Sequence, residues 1–172
     1  MKLHTSELRR KQKKLQAGDR VFLSGTIYTA RDAAHRRLIE LLDNGKELPF
    51  TIGGAVIYYA GPTPAQQGMA VGSCGPTTAY RMDAFSPTLL DAGLAAMIAK
   101  GPRAVSVVDA IVRNEACYFV ATGGAGALIA QHIKTAEVVA FKDLGTESIK
   151  RLTVEDFPLI VAVDSKGNSL YI

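Results

Sequence analysis

The chain has 172 residues, of which 48% are apolar and 21% are charged, and it contains 16 glycines. This length suits one domain with a sizeable core, and the composition is that of an α/β protein rather than of a disordered or fibrous chain. No apolar run approaches the ~20 residues of a membrane span, and the charged start lacks the apolar stretch of a secretory signal, so we expect a cytoplasmic protein without a membrane partner.

The net charge of +4 is concentrated near the start of the chain. The basic residues there are Arg9, Arg10, Lys11, Lys13 and Lys14. Such a run can bind nucleic acid or a membrane surface, but no aromatic platform accompanies it and the remainder of the chain is nearly neutral. We therefore predict that residues 1–17 form a solvated basic arm or helix outside a domain at 18–172, and that nucleic acid is not the partner.

The first half of the chain has strand, helix and loop signals. We predict strands at residues 20–24 and 55–59, a further short strand at 69–71, and a helix at 30–43. Thr29 is expected to cap the start of this helix, and Asn44-Gly45 is expected to end it.

The second half has the pattern of a parallel sheet. Strands are predicted at residues 94–99, 117–121 and 137–141, with helices at 105–114 and 126–133. This alternation favours parallel strands joined by right-handed crossovers. The tail predicts strands at 152–155 and 159–164, a turn at 166–168 and a final strand at 170–172. The predicted class is one α/β domain with β-rich ends.

The densest cluster of polar groups lies between residues 72 and 83. Gly75-Pro76 forces a turn, so that Thr77 and Thr78 fall where a helix would begin and where backbone N–H groups attract anions. Arg81 returns to the same face one helical turn later. The group suits a carboxylate, although a capped helix with a solvated arginine explains these residues equally well.

Two further cations have positions that favour a ligand. Arg31 lies in the first turn of the predicted helix, where it opposes the helix dipole, but a salt bridge to Asp32 is the simpler explanation. His35 shares the face of Arg31 and is expected to be a packed or surface residue. Lys100 directly follows a buried strand, and functional groups of parallel sheets gather at the carboxyl ends of strands.

A glycine-rich turn, Gly123-Gly-Ala-Gly126, also follows a predicted strand. It lacks the Rossmann spacing and the Walker lysine, so close packing explains it better than phosphate binding. The chain has two cysteines, Cys74 and Cys117, and three histidines. An iron–sulfur cluster normally needs at least three thiolates and a structural zinc ion needs four ligands. We therefore predict no metal site in this chain, and any metal used in a reaction must come from elsewhere.

Together these residues resemble the C-terminal domain of class I fumarases and the β subunit of L(+)-tartrate dehydratase, over about residues 18–172. The motifs that carry the resemblance are Gly25-Thr26, Ala30-Arg31-Asp32 with His35, Tyr59-Ala60-Gly61-Pro62, Gly75-Pro76-Thr77-Thr78 with Arg81-Met82-Asp83, Lys100-Gly101, Gly123-Gly124, Asp143-Leu144-Gly145, Val154-Glu155-Asp156-Phe157-Pro158, and Asp164 with Gly167-Asn168. The resemblance implies a swivelling β/β/α domain and a partner α subunit, in an α2β2 hetero-oligomer.

The resemblance also implies a chemistry. Three cysteines of the partner α subunit would hold a [4Fe–4S] cluster, whose open iron acts as a Lewis acid on the hydroxyl and carboxylate of a small dicarboxylate substrate. Thr77 matches the catalytic base, and the groups that match carboxylate-binding residues are Arg31, Thr78, Arg81 and Lys100. No role is implied for His35 or Cys74.

Three functions stay open at this point. The expected function is that of the β subunit of a hydro-lyase that hydrates fumarate reversibly to (S)-malate, favoured by the stretches at 100–103 and 154–158. The β subunit of L(+)-tartrate dehydratase, which converts tartrate to oxaloacetate, is an alternative of the same class. A non-catalytic binding module of the same fold is the alternative of another class.

Overall fold

The computed structural model describes residues 1–171, which form a mixed α/β fold. The strands are β1 (Lys2–His4), β2 (Arg20–Thr29), β3 (Val56–Tyr58), β4 (Ala96–Ala99), β5 (Cys117–Val120), β6 (Ile133–Ala140) and β7 (Ile149–Val163). The α-helices are α1 (Leu8–Lys11), α2 (Asp32–Asp43), α3 (Ser86–Asp91), α4 (Val105–Arg113) and α5 (Gly126–Ala130). Short 3-10 helices span Thr5–Glu7, Gln12–Lys14, Ala79–Met82 and Lys142–Glu147. Over residues 1–171, no helix is long and apolar enough to cross a membrane.

The seven strands form one sheet in the order β1-β2-β3-β4-β5-β7-β6, and β7 also pairs with β2. This extra pairing closes β2, β3, β4, β5 and β7 into a barrel-like ring. Strands β1 to β5 run parallel to one another, whereas β7 runs antiparallel to β2, β5 and β6. The predicted α/β class and the parallel central strands are confirmed, and the antiparallel closing strand is the feature that the sequence pattern did not predict.

Two hydrophobic clusters lie on opposite faces of the strands, because successive side chains of a strand alternate in direction. One cluster joins residues of all five ring strands, such as Tyr58 and Phe119, to the N-terminal segment and α5. The other cluster joins Tyr59 and Tyr118, which are adjacent in the chain to Tyr58 and Phe119, to α2, α3 and α4. The ring is therefore covered by helices on one side and by the chain start and α5 on the other.

The first 17 residues belong to this fold, which corrects the prediction of a solvated arm. β1 pairs with β2, and the side chains of Leu3, Leu8 and Leu15 are buried in the first cluster. The basic side chains mostly face outward, although Arg9 donates to the backbone carbonyls of Gly93 and Asn114. The prediction rested on the basic residues and overlooked the three leucines that anchor the segment.

Several central elements are confirmed to within two residues. They are β3, β4, α4 and β5. Helix α2 ends as predicted, with Asn44 at the C-cap and Gly45 at a φ of +62° that suits glycine. The predicted turn at 166–168 is confirmed, because the Asp164 carboxylate accepts from the backbone N–H groups of Lys166 and Asn168.

Other predictions need correction. The strand at 20–24 continues through a bulge beside Gly25 to Thr29. Thr29 does not cap α2: its hydroxyl accepts from the backbone N–H of Lys150 at 3.1 Å, and Arg31 occupies the N-cap position. Residues 69–71 form a loop rather than a strand.

The C-terminal half also differs in its boundaries. The two predicted tail strands are one strand, β7, because Pro158 pairs opposite Phe22 without interrupting it. α5 is shorter than predicted because residue 133 already begins β6, and α3 was missed because its six residues are too few for a periodic signal. Leu170 and Tyr171 are not in a strand, and Ile172, the end of that predicted strand, lies outside the described residues.

Replacing Leu8 with alanine tests whether the chain start belongs to the core. The side chain is fully buried, so Leu8→Ala is expected to lower the free energy of unfolding by about 2–5 kcal/mol in urea denaturation. Lys14→Ala, on the exposed side of the same segment, serves as the control and is expected to change it by less than about 0.5 kcal/mol. Equal small effects of both changes would show that the segment is not anchored.

Candidate functional site

The loops that follow four neighbouring parallel strands meet at one edge of the sheet. Arg31 comes two residues after β2 ends, Gly61 three after β3, Lys100 directly after β4, and Gly123 three after β5. The carboxyl ends of parallel strands are the usual place for binding groups in α/β proteins. Two of the four loops carry a predicted site residue, Arg31 or Lys100, and each of the other two carries a motif glycine beside one of them.

Thr77 and Thr78 are joined to Lys100 by backbone hydrogen bonds. The Lys100 N–H donates to the Thr77 carbonyl at 3.2 Å, and the Ala79 N–H donates to the Lys100 carbonyl at 2.8 Å, which makes a short parallel bridge. The Thr77 N–H donates to the Tyr59 carbonyl at 2.6 Å. The threonine segment is therefore held between the ends of β3 and β4, with both threonine side chains partly exposed.

The predicted helix start at this segment takes a different form. Thr78 is the N-cap of the 3-10 helix Ala79–Met82 and makes no capping hydrogen bond with its side chain. The backbone N–H groups of Thr77 and Ala79 are already bonded to backbone carbonyls. Any anion at this point must therefore contact side chains rather than those two N–H groups.

Arg81 is bound to Asp32, the residue that follows Arg31 in the chain. Arg81 donates to both carboxylate oxygens of Asp32, from Nε at 3.0 Å and from Nη2 at 2.8 Å. This corrects the simpler explanation for Arg31, because Asp32 pairs with Arg81 instead. The bidentate contact fixes the plane of the Arg81 guanidinium and leaves its Nη1 for another acceptor.

Arg31 has a looser environment. Its Nε lies 3.5 Å from Glu147 Oε1, which is close enough for an ion pair. The two atoms do not form a hydrogen bond, and this buried Nε has no other hydrogen-bond partner among residues 1–171. We regard the ion pair as weak, because a hydrogen bond needs both distance and angle. The guanidinium extends over Gly61, where an added methyl group would lie 3.1 Å from Arg31 Nη1. Gly61 thus makes room for Arg31.

Lys100 has an exposed side chain that lies along the glycine-rich turn. A methyl group at Gly123 would lie 3.4 Å from Lys100 Cδ. A cavity of about 500 Å³ opens here, and the residues that line it include Lys100, Thr122, Gly123, Phe22 and Ile160. The threonines and the two arginines do not line this cavity, so the five predicted residues share an edge of the sheet but not this cavity.

The rest of the glycine-rich turn packs closely, as predicted. Gly126 lies against the backbone of Gly75, where a methyl group would be 3.0 Å from Gly75 N, and the Cys74 N–H donates to the Gly126 carbonyl at 3.1 Å. The turn therefore supports the loop before Thr77.

His35 is buried beneath Arg31. Its Nδ1 lies 2.9 Å from the Arg31 carbonyl oxygen and its ring meets the Tyr59 ring edge-on. Burial is the main cause that lowers the His35 pKa from 6.5 to about 4. The ring is therefore neutral at pH 7, with Nδ1–H donating to the carbonyl, and it positions the backbone of Arg31 rather than acting as a base. The predicted packed histidine is confirmed.

The two cysteines do not fit an iron–sulfur cluster. Cys74 and Cys117 are both buried, and burial raises the pKa of the Cys74 thiol to about 12 and that of Cys117 further. Metal binding requires the thiolate. Within the part of the chain that the structure describes, no three His, Cys, Asp or Glu side chains are grouped to hold a metal ion.

Two acidic residues at this edge were missed as site residues by sequence reasoning. Asp32 was considered only as a partner of Arg31, and Glu147 was not considered at all. Glu147 ends the 3-10 helix Lys142–Glu147, far from Arg31 in the chain. Only the adjacent motif Asp143-Leu144-Gly145 signalled that this region mattered.

The sequence matches the family model described as Fumarase C-terminus over residues 1–172, including the basic start. It is 39% identical to fumarate hydratase 2 of Leishmania major over 99% of this chain and 30% of that protein. It is 46% identical to the anaerobic class I fumarate hydratase of Escherichia coli over 88% of this chain and 28% of that protein. The L(+)-tartrate dehydratase subunit beta of Escherichia coli is 33% identical over 91% of this chain and 79% of the subunit. The chain thus spans less than a third of the length of these fumarate hydratases.

The buried His35 predicts a specific dependence of stability on pH. Its pKa is lower in the folded chain than in the unfolded chain, so the unfolded chain binds more protons as the pH falls from 6.5 towards 4. About 3 kcal/mol of unfolding free energy present above pH 6.5 should be lost over this range. In His35→Gln this part of the loss should disappear, as measured by urea denaturation at each pH.

His132→Gln is the matched control for this measurement. The His132 Nδ1 also contacts a backbone carbonyl, that of Glu155 at 3.0 Å, but the ring is partly exposed and its replacement leaves His35 in place. A pH dependence that is the same in wild type and in His35→Gln would contradict the assignment of a buried neutral ring.

Proposed function

The chain belongs to the fumarase C-terminus family, and from that premise we propose that it is the β subunit of an iron–sulfur-dependent hydro-lyase that hydrates fumarate reversibly to (S)-malate. The observation that carries the proposal is the placement of Thr77, Thr78 and Lys100 beside one another on the same sheet edge as Arg31 and Arg81. The domain would be the swivelling β/β/α domain of this family, moving over the substrate.

Cations at this edge suit a substrate with two carboxylates. A guanidinium binds a carboxylate with two parallel hydrogen bonds, and an ammonium adds a compact charge. Arg81 would contribute its Nη1 edge, Arg31 the exposed part of its guanidinium, and Lys100 its exposed ammonium. The Thr78 hydroxyl would complete the carboxylate contacts. Holding both ends of the substrate would fix the carbon atoms between them, and such positioning can lower a barrier by several kcal/mol.

We assign the role of base to the Thr77 hydroxyl. In the direction from malate to fumarate, Thr77 Oγ1 would take a proton from the carbon next to the one that loses its hydroxyl, and it would return this proton in the hydration direction. An alcohol is a very weak acid in water, so the alkoxide requires nearby cations and a site without bulk water. The backbone hydrogen bonds that hold Thr77 beside Lys100 support this assignment.

A closed site requires a partner, and we propose that this is a separate α subunit in an α2β2 assembly. The match to the tartrate dehydratase subunit beta covers 79% of that subunit, which favours a separate chain. Over residues 1–171, the three most exposed large hydrophobic side chains are Val105 (76%), Tyr80 (66%) and Leu128 (64%). They lie beside Arg81 and after the Lys100 and Gly123 loops, so each is near a segment that carries a candidate site residue, and covering them would be one role of the proposed partner.

The [4Fe–4S] cluster is assigned to the α subunit, since the cysteines of this chain do not fit it. When bound there, the cluster would supply Lewis-acid chemistry at the substrate hydroxyl. This chain would bind the carboxylates, hold the substrate against the partner and move the proton.

L(+)-tartrate dehydratase is the second candidate, because the chain covers most of that subunit's length. Between the two Escherichia coli relatives, the higher identity to the fumarate hydratase, 46% against 33%, favours fumarate. Anaerobic assays of the assembled complex on malate, fumarate and L(+)-tartrate distinguish the two, and tartrate turnover far above malate turnover would overturn our choice.

Thr77→Ala in the assembled complex tests the base and, with it, the catalytic role of the chain. We expect kcat for malate to fall at least about 100-fold, which is the range for loss of a positioned acid–base group, while subunit assembly by size-exclusion chromatography stays normal. Thr88→Ala, at an exposed position of α3, is the control and should keep wild-type kcat. Unchanged activity of Thr77→Ala would favour a non-catalytic binding module.

A further inference from the structure

A buried arginine behind the candidate site has no role in the proposed chemistry. The side chain of Arg103 is 0% exposed, and its guanidinium lies over the rings of Tyr59 and Tyr118, with CZ-to-centroid distances of 5.4 and 5.1 Å. A buried charge is costly unless it is paired and hydrogen-bonded. The partners of Arg103 therefore identify the segments that this buried charge connects.

Asp83 is the ionic partner, and it joins two segments. Its Oδ1 accepts from Arg103 Nε at 2.7 Å and its Oδ2 accepts from the Ala104 backbone N–H at 2.8 Å. Asp83 directly follows the 3-10 helix Ala79–Met82 and lies two residues after Arg81. One carboxylate thus fastens the end of the threonine–arginine segment to the loop that begins at Lys100.

Further hydrogen bonds extend the connection in both directions. Arg103 Nη2 donates to Ser86 Oγ at 2.6 Å, and this hydroxyl donates to the Met82 carbonyl at 2.8 Å. On the other side, the Tyr118 hydroxyl donates to the Gly101 carbonyl at 2.9 Å. The loop after Lys100 and the 3-10 helix after Thr78 are therefore both fixed to the same buried group.

We infer that Asp83, Arg103 and Tyr118 form a positioning clasp that sets the distance between Thr77–Arg81 and Lys100; this inference rests on the proposed function. Buried ion pairs are weak sources of stability, because desolvation offsets most of the attraction. They do impose one geometry on the groups that they join. A misplacement of about 1 Å between catalytic groups can cost about 100-fold in rate.

The test compares variants of the clasp in the assembled complex, with kcat and KM measured for malate and fumarate. Asp83→Asn replaces the carboxylate with a neutral amide. It should raise KM because Lys100 would bind the substrate less well, and lower kcat because Thr77 would be misplaced, so that kcat/KM falls at least about 100-fold. Tyr118→Phe removes only the hydroxyl and keeps the ring under Arg103, so it should fold normally and lower kcat/KM by about 3- to 10-fold.

Asp91→Asn is the matched control. Asp91 is likewise paired with an arginine, Arg113, through two hydrogen bonds at 2.8 and 2.7 Å, but on the exposed surface between α3 and α4. The same substitution there should leave kcat and KM unchanged.

Amide hydrogen exchange in the complex provides a readout that does not depend on the reaction. Loosening of the clasp should speed exchange of the Lys100 and Ala79 amides, which bridge the two segments, at least about 10-fold, while the Tyr59 amide, bonded to Ile98 in the neighbouring strand, stays protected. If the wild-type complex converts none of the substrates, the proposed function fails, and the exchange data still decide whether the clasp exists.

Two results would overturn the clasp. One is wild-type kcat, KM and exchange in both Asp83→Asn and Tyr118→Phe. The other is a lower melting temperature of Asp83→Asn with unchanged kcat/KM per folded enzyme and unchanged exchange at Lys100, which would show a purely structural ion pair. If Asp83→Asn does not fold, Tyr118→Phe alone tests the clasp, and wild-type kcat, KM and exchange in that variant would overturn it.

Discussion

The pairing of β7 with both β2 and β5 is the constraint on which the candidate site depends. β7 runs antiparallel to both strands and closes the ring. An open parallel sheet would spread its carboxyl ends along a line, but a closed ring of five strands curves them around one opening. The loops after β2, β3, β4 and β5 therefore share one edge, although no short stretch of the sequence holds their residues together.

Within this edge, small residues are as informative as charged ones. Arg31 extends over Gly61, where an added methyl group would lie 3.1 Å from Nη1 and crowd it. Lys100 lies along Gly123, where an added methyl group would lie 3.4 Å from Cδ, in ordinary contact. Each long cation thus lies against a glycine of the next strand's loop. Close approach is thus a reason for glycine at position 61, and the turn that resembled a phosphate loop needs glycine at position 126, where it packs against the segment before Thr77.

Sequence reasoning predicted what depends on local pattern and missed what depends on ring closure. The apolar runs gave β3, β4 and β5, and the position of Lys100 after a buried strand followed directly. The Arg81–Asp32 pair joins residues 49 apart, and Arg103–Asp83 joins residues 20 apart across two loops, so no periodicity could reveal either. The solvated arm was a wrong prediction for a related reason: Leu3, Leu8 and Leu15 are anchors only because β1 pairs with β2.

The two site arginines differ in how they are held, and this difference bears on substrate choice. Arg81 is already fixed by two hydrogen bonds to Asp32, so it offers a rigid Nη1 edge at little further entropic cost. Arg31 has a buried Nε without an acceptor among residues 1–171, with Glu147 at 3.5 Å and poorly aligned. Under the proposed function, a substrate with one carboxylate, bound at Arg81, would leave Arg31 with its weak contact to Glu147 alone, whereas a dicarboxylate would engage both guanidinium groups, and a site built to bind a polar group discriminates strongly against ligands that lack it.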